Sequence, residues 1–360
     1  IDSSASMNRK LTAGSGIENP TDIVEDSDGN LIVGEGNFGF IKILTADNTV
    51  DRTFAPTTDH PSGNRNFRGY GNKDECLDGS KNFSIRNINN LGLATNVLGV
   101  SGDVIYGNDQ KSSQGLIVGI NTSGECIEVI DRDDLGFRPR AMEVRTINSE
   151  DHIFVSGRLH PGNSWQLYFY TKNLTTGESL RCENNIGGNL GTIIETSVRL
   201  TVDNSGSYVY FISSGNISGY ELEERGNNYC PKDFVRDRFY TENNSSLKKA
   251  DAIQVSPDDD DIMYVASSKS DVVQKVTLTN TTLTQVTLAG RKKDAENTAN
   301  AGALNAGEVN LLDPIALFVT STKVWVSDKK STIQEFDENK FTAANINTCL
   351  LYTSDAADDS

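Results

Sequence analysis

The sequence predicts an all-β fold, a six-bladed β-propeller with four-stranded blades, on three observations. First, a short apolar strand ending in a small residue recurs six times: LIVG from Leu31, VIYG from Val104, IFVS from Ile153, YFIS from Tyr210, MYVA from Met263 and VWVS from Val324. Second, these starts lie 73, 49, 57, 53 and 61 residues apart, and each is preceded by a turn-forming run, in order DSDGN, VSGD, INSED, DNSGS, PDDDD and TST. Third, helical periodicity is nearly absent. Strand, turn, strand, loop, strand, strand at a steady period describes a unit that buries both faces only against its neighbours, which is what a propeller blade does.

The units justify themselves in order. Unit one, about 17–55, carries DIVED from Asp22, the LIVG strand and GFIKILT from Gly39. Unit two, about 90–135, follows VIYG with the outer strand ECIEVI, and unit three, about 140–185, reads AMEVRT from Ala141, IFVS and QLYFYT from Gln166. Unit four, about 195–240, opens with VRLTVD from Val198. Unit five, about 250–290, runs AIQVS from Ala252, MYVA, VVQKVTLT from Val272 and LTQVTLAG, and unit six spans about 312–345. Residues 7–13, MNRKLTA, read as an outermost strand able to complete unit six and so remove an open sheet edge; the rival reading, that blades precede residue 1, stays open. Residues 51–86 form a long insert rich in Gly, Asn and aromatic residues, and the Ala-rich stretch 294–308 reads as loop with a short helix as the alternative.

Composition removes several functions. The chain has 33 Lys and Arg against 50 Asp and Glu, a formal charge of −17 that repels phosphate backbones and speaks against nucleic acid as a partner. No apolar run reaches the roughly 18–20 residues of a membrane helix. The last twelve residues, 349–360 (CLLYTSDAADDS), resemble a translated sequencing-library adapter and are set aside, so the chain reads as a metagenomic fragment. That removes Cys349 and leaves Cys76, Cys126, Cys182 and Cys230, an even set without a C-x-x-C pair. Such a set suits disulfides in an oxidising compartment. Three pairings are open, with Cys76–Cys126 and Cys182–Cys230 preferred. Sequons at Asn82, Asn121, Asn173, Asn216, Asn243, Asn244 and Asn280 point the same way, to a secreted or periplasmic glycoprotein whose signal sequence is absent from the fragment.

Here the residues carry a resemblance. Leu11–Gly16 (LTAGSG), Asn19–Pro20, DSDGN and LIVGE resemble an NHL repeat, and LAG at Leu288–Gly290, Asp313–Pro314, VWVSD and TIQEF resemble another. The four middle units lack the proline and the Ala-Gly and keep only the strand rhythm. The resemblance implies a six-bladed propeller of the broad NHL and gluconolactonase-like kind.

Superposing the recurring strand gives the candidate site. The residue after each small residue is Glu35, Asn108, Gly157, Ser214, Ser267 or Asp328. Units six, one and two are neighbours in a closed ring, so Asp328, Glu35 and Asn108 are expected side by side at one channel mouth. An all-oxygen set suits Ca2+ or Mg2+, and it is similar in chemistry to the metal site of gluconolactonase-type propellers. Arg158 would add an anion-binding charge. The competing reading makes these ordinary polar strand ends. The acidic run Asp258–Asp261 occupies a turn slot and reads as a turn rather than a calcium loop. His60, His152 and His160 would have to converge to bind zinc, and no serine-nucleophile elbow occurs. Two functions from different classes follow: an extracellular, monomeric module that binds a protein or glycan, its long insert supplying recognition, or a divalent-metal hydrolase of lactonase or esterase type. Whether the chain is an enzyme stays open at this point.

Overall fold

A computed structural model describes residues 7–11, 20–35, 39–44, 49–51, 98–109, 116–122, 126–158, 168–182, 199–213, 215–240, 250–279, 283–289, 311–328 and 332–338. Among these, the strands form six antiparallel four-stranded sheets, here called blades. From the inner strand outward, blade one is Pro20–Glu25, Leu31–Glu35, Gly39–Leu44 and Thr49–Asp51, and blade two is Leu98–Ser101, Val104–Asp109, Leu116–Asn121 and Cys126–Ile130. Blade three is Arg138–Ile147, Glu150–Arg158, Tyr168–Asn173 and Ser179–Cys182; blade four is Arg199–Val202, Tyr208–Ser213, Asn216–Arg225 and Asn228–Tyr240. Blade five is Ala252–Val255, Ile262–Ser267, Val272–Leu278 and Leu283–Ala289. Blade six joins Pro314–Val319, Lys323–Asp328 and Ile333–Asp337 to Met7–Leu11, which pairs antiparallel with Ile333–Asp337. Inner strands of successive blades touch all the way round, blade six against blade one included, so the sheets close into a ring. The insert 51–86 beyond Asp51 and the stretch 294–308 lie outside the described residues.

Each blade buries both faces, so its second strand sends alternate residues to different neighbours. Val209 and Phe211 of blade four pack with Phe154 and Phe169 of blade three, whereas Tyr210 and Ile212 pack with Met263 and Val265 of blade five. Val324 and Val326 of blade six likewise pack with Tyr264 of blade five, and Trp325 with Ile23, Leu31 and Val33 of blade one. This facing pattern fixes the equivalence of the blades, and it puts an aromatic that faces the following blade at one slot: Tyr106, Phe154, Tyr210, Tyr264 and Trp325, with Ile32 in blade one.

The small residue is therefore a poorer marker than the aromatic. Two residues after the aromatic come Gly34, Asn108, Ser156, Ile212, Ala266 and Ser327. The superposition by small residue is thus one position out in blades two and four. A one-residue change moves a strand's whole pattern to its other face.

A second correction concerns proline. Pro139 pairs with Gly157 and is followed by a register shift, as Pro20 opposite Glu35 and Pro314 opposite Asp328 are. Blade three therefore shares the proline start that the sequence reading assigned to the end units alone. The described helix, Arg132–Leu135, is a single turn between blades two and three; the Asp131 carboxylate accepts the N–H groups of Asp133 and Asp134 at its start, and Gly136 with φ 74 ends it.

Blades approach closely where glycine allows it. A Cβ at Gly99 on the inner strand of blade two would stand 2.5 Å from Val144 Cγ2 of blade three and 3.1 Å from the Val144 backbone nitrogen. Gly99→Ala is expected to cost about 1–3 kcal/mol in chemical denaturation through overpacking, and Val144→Ala in the same chain should recover part of it. An unchanged midpoint would show that the two inner strands can separate at no cost.

Candidate functional site

The inner strands surround a central channel of about 430 Å3 lined from all six blades. An inner strand has one sheet neighbour, so its channel-side N–H and C=O groups need other partners. Side chains of the preceding blade supply them. At one register, Glu143 of blade three accepts the Val202 N–H of blade four at 2.6 Å, Thr201 of blade four accepts the Val255 N–H of blade five at 3.0 Å, and Gln254 of blade five accepts the Val319 N–H of blade six at 2.8 Å. Two residues along the strand from that register, Asp22 of blade one accepts the Leu98 N–H of blade two at 2.8 Å.

Two arginines cross the channel. Arg199 of blade four reaches the opposite blade one, donating to the Thr21 carbonyl and standing 3.7 Å from Asp22. At the same register, blades three, five and six carry Ala141, Ala252 and Ala316, which leave it room. Burial pushes the Asp22 carboxyl above the usual carboxylate range, opposed by Arg199 and the Leu98 N–H. Arg145 of blade three passes blade four and donates through Nη2 to the Val255 and Ser256 carbonyls of blade five at 3.0 and 3.4 Å. Glu143, 3.9 Å from Arg145, is pushed up to about 7 by burial, which Arg145, the Val202 N–H and the Thr201 hydroxyl oppose. Between these crossings the lining mixes apolar residues, Val100 and Phe318 among them, with the polar Asn204 and Gln254. Sequence reading offers none of these channel residues as a functional candidate; a charged residue inside an inner-strand segment, as in AMEVRT, is the available signal.

The residues that the sequence singled out lie at the other end of the second strands. Glu35 and Asp328 occupy equivalent positions, opposite Pro20 and Pro314. Asn108 does not join them: it shares the face of Tyr106, toward blade three, and is fully buried, while Asp109 holds the equivalent position in blade two. In blade four that position belongs to Ser213 rather than Ser214. Asp328 is 1% exposed, and its Oδ1 accepts the Thr332 N–H at 3.0 Å, so part of its role is to close its own turn. Arg158 sits at the matching strand end of blade three, paired with Arg138. Among the described side chains no three His, Cys, Asp or Glu groups converge. His152 is buried edge-on to Tyr229 with its pKa lowered by burial, and His60 and His160 lie outside the described residues.

Cys182 and Cys230 form a disulfide with Cα atoms 5.6 Å apart, joining the outer strands of blades three and four. Cys76 lies outside the described residues, as do the sequons at Asn82, Asn243, Asn244 and Asn280. Asn173 is withdrawn as a glycan acceptor: it is fully buried, its Oδ1 accepts the N–H groups of Thr175 and Thr176, and its Nδ2 donates to Glu150 at 2.6 Å. Asp258–Asp261 form a turn, in which Asp261 N–H bonds Asp259 and Asp260 accepts the Asn204 and Ser205 N–H groups of blade four. Among the described residues no helix is long and apolar enough to cross a membrane.

No family model and no curated protein sequence matches the chain. Solved structures do. The Dos1 propeller aligns at a TM-score of 0.53 with 10% identity, covering 93% of this chain and 96% of that one. An auxiliary nutrient binding protein from Bacteroides ovatus aligns at 0.52 with 11% identity, covering 89% of this chain and 69% of that one. The chain is a β-propeller. At such identities the likeness establishes the fold and leaves function to the site.

Proposed function

We propose that this propeller is a binding module of NHL-like type, acting outside the cytoplasm on a protein or glycan. The observation that carries the reading is the use to which its polar side chains are put. Asp22, Glu143, Thr201 and Gln254 hold neighbouring inner strands together. Groups so engaged make a rigid frame rather than an acid–base pair, and a rigid frame is what recognition loops need. The Cys182–Cys230 disulfide supports an oxidising compartment. Screening the chain against glycans and by pull-down, in chelator, should give retained binding and no turnover of lactones or aryl esters.

A second reading, a divalent-metal hydrolase, is favoured by one observation: acidic residues stand at the same strand-end position in blades six, one and two, Asp328, Glu35 and Asp109. These residues, with Asp109 taking the place expected of Asn108, would hold Ca2+ or Mg2+, and the ion would supply Lewis-acid chemistry. Arg158 would lend charge for an anionic group. Chelator-sensitive turnover that disappears in Asp328→Asn would put this reading first and overturn the binding-only one.

A further inference from the structure

Arg145, one of the two buried arginines of the channel, is incompletely paired. Arg145 is over nine-tenths buried and lines the cavity. Its Nη2 serves two carbonyls of blade five. Its Nε has no hydrogen-bond partner among the described residues, and Nη1 stands 3.9 Å from Glu143, beyond hydrogen-bond length. A buried guanidinium normally satisfies its donors with carboxylate or phosphate oxygens. Beside it lies a cavity of about 430 Å3 whose lining is polar and apolar in similar measure, with Asp22, Arg199, Asn204 and Gln254 beside Val100 and Phe318, in the size range of small-molecule pockets.

We propose that the central channel binds a small organic carboxylate, its carboxylate on Arg145 and its body in the cavity between Arg145 and Arg199. The ligand carboxylate takes the place of Glu143 as the partner of Arg145. Glu143 is otherwise faced by Arg145 on its own strand and by Thr201, the Val202 N–H and Asp203 on blade four. It holds its proton while the ligand is present, consistent with its pKa of about 7. Binding therefore takes up a proton above that pH and weakens about tenfold per unit well above it. The site is independent of which partner docks on the faces of the ring, so its failure would leave the proposed binding function untouched.

The test is calorimetric titration of the full chain with hexanoate and benzoate at pH 6 and pH 8, with hexanol as the comparator. The two carboxylates should bind and hexanol should not, with affinity about tenfold higher at pH 6 than at pH 8. Glu143→Gln should bind at pH 8 as tightly as the wild type does at pH 6, with the pH dependence gone, and Arg145→Met should lose binding at least tenfold. Arg145→Met also loses two inter-blade hydrogen bonds, so if it does not fold the Glu143→Gln arm decides. No heat with either carboxylate, equal binding of hexanol, or affinity unaltered by Glu143→Gln would overturn the proposal.

Discussion

Replacing both Cys182 and Cys230 by alanine is expected to lower the midpoint of thermal unfolding by about 8–16 °C. The bridge spans a sequence separation of 48 and ties the outermost strand of blade three to that of blade four. In the chain-entropy account, closing a loop of that length restricts the unfolded chain by about 4 kcal/mol, an upper figure for a bridge that fits its surroundings. For a chain well above 150 residues, each kcal/mol moves the midpoint about 2–4 °C. The bridge also sits in the packed contact of the two blades, where both cysteines are buried with Leu180, Leu222 and Tyr229, so its loss leaves a void as well as a longer unfolded chain. Outer strands are the part of a blade farthest from the ring's shared core, and a covalent tie there restrains two blades from parting. Calorimetry of the double variant beside the reduced wild type checks the figure. A fall below about 2 °C would mean that the inter-blade cluster holds blades three and four together without it.

Most of the architecture was legible in the sequence because propeller blades repeat a local pattern. Alternating apolar strands and Asp, Asn and Gly turns identify the second strands wherever both faces are buried, as in Ile262–Ser267. Met7–Leu11, which reads in the sequence as an outermost strand, pairs with Ile333–Asp337 at the outer edge of blade six. What the sequence hid was register. Gly107 looks like the small residue that ends the strand, yet the burial of Tyr106 toward blade three makes Asn108 the true equivalent of Gly34. The row of aromatics from Tyr106 to Trp325 is the better ruler, since a large ring must enter the following blade and a small residue need not end anything.

The candidate site was less legible for a related reason. Strand-end carboxylates such as Glu35 and Asp328 attract notice as metal ligands, whereas the inner-strand polar residues look like interruptions of an apolar pattern. Their placement has a physical cause that sequence does not display: each inner strand lacks one sheet partner, and Glu143, Thr201 and Gln254 meet that need in three successive blades at one register. Arg199 facing Asp22 across the ring depends on three alanines from separate blades, a coincidence visible only after closure.

Glu143→Gln is expected to stabilise the protein at pH 8 by about 3 kcal/mol and to leave it unchanged below pH 4. Burial raises the Glu143 carboxyl from 4.5 to about 7, so the folded chain keeps a proton that the unfolded chain has already released across that interval. The folded state then binds more protons than the unfolded one, and stability falls as pH rises. The contribution is fully present below about 4.5, declines by about 1.4 kcal/mol per unit, and is gone once the pH has passed about 7. Glutamine keeps an oxygen for the Val202 N–H and an amide that can meet the Thr201 hydroxyl, so the inter-blade bond survives while the cost of a buried anion does not. Asp22 and Asp203 are also raised by burial and slope in the same direction, which is why the quantity to measure is the difference between variant and wild type at each pH. Urea unfolding at half-unit steps from pH 4 to pH 8.5 gives that difference directly. Parallel curves would show that Glu143 titrates in the folded ring as it does in the unfolded chain, with Arg145 as an effective counter-ion, and would remove the proton uptake on which the channel's carboxylate site depends at neutral pH.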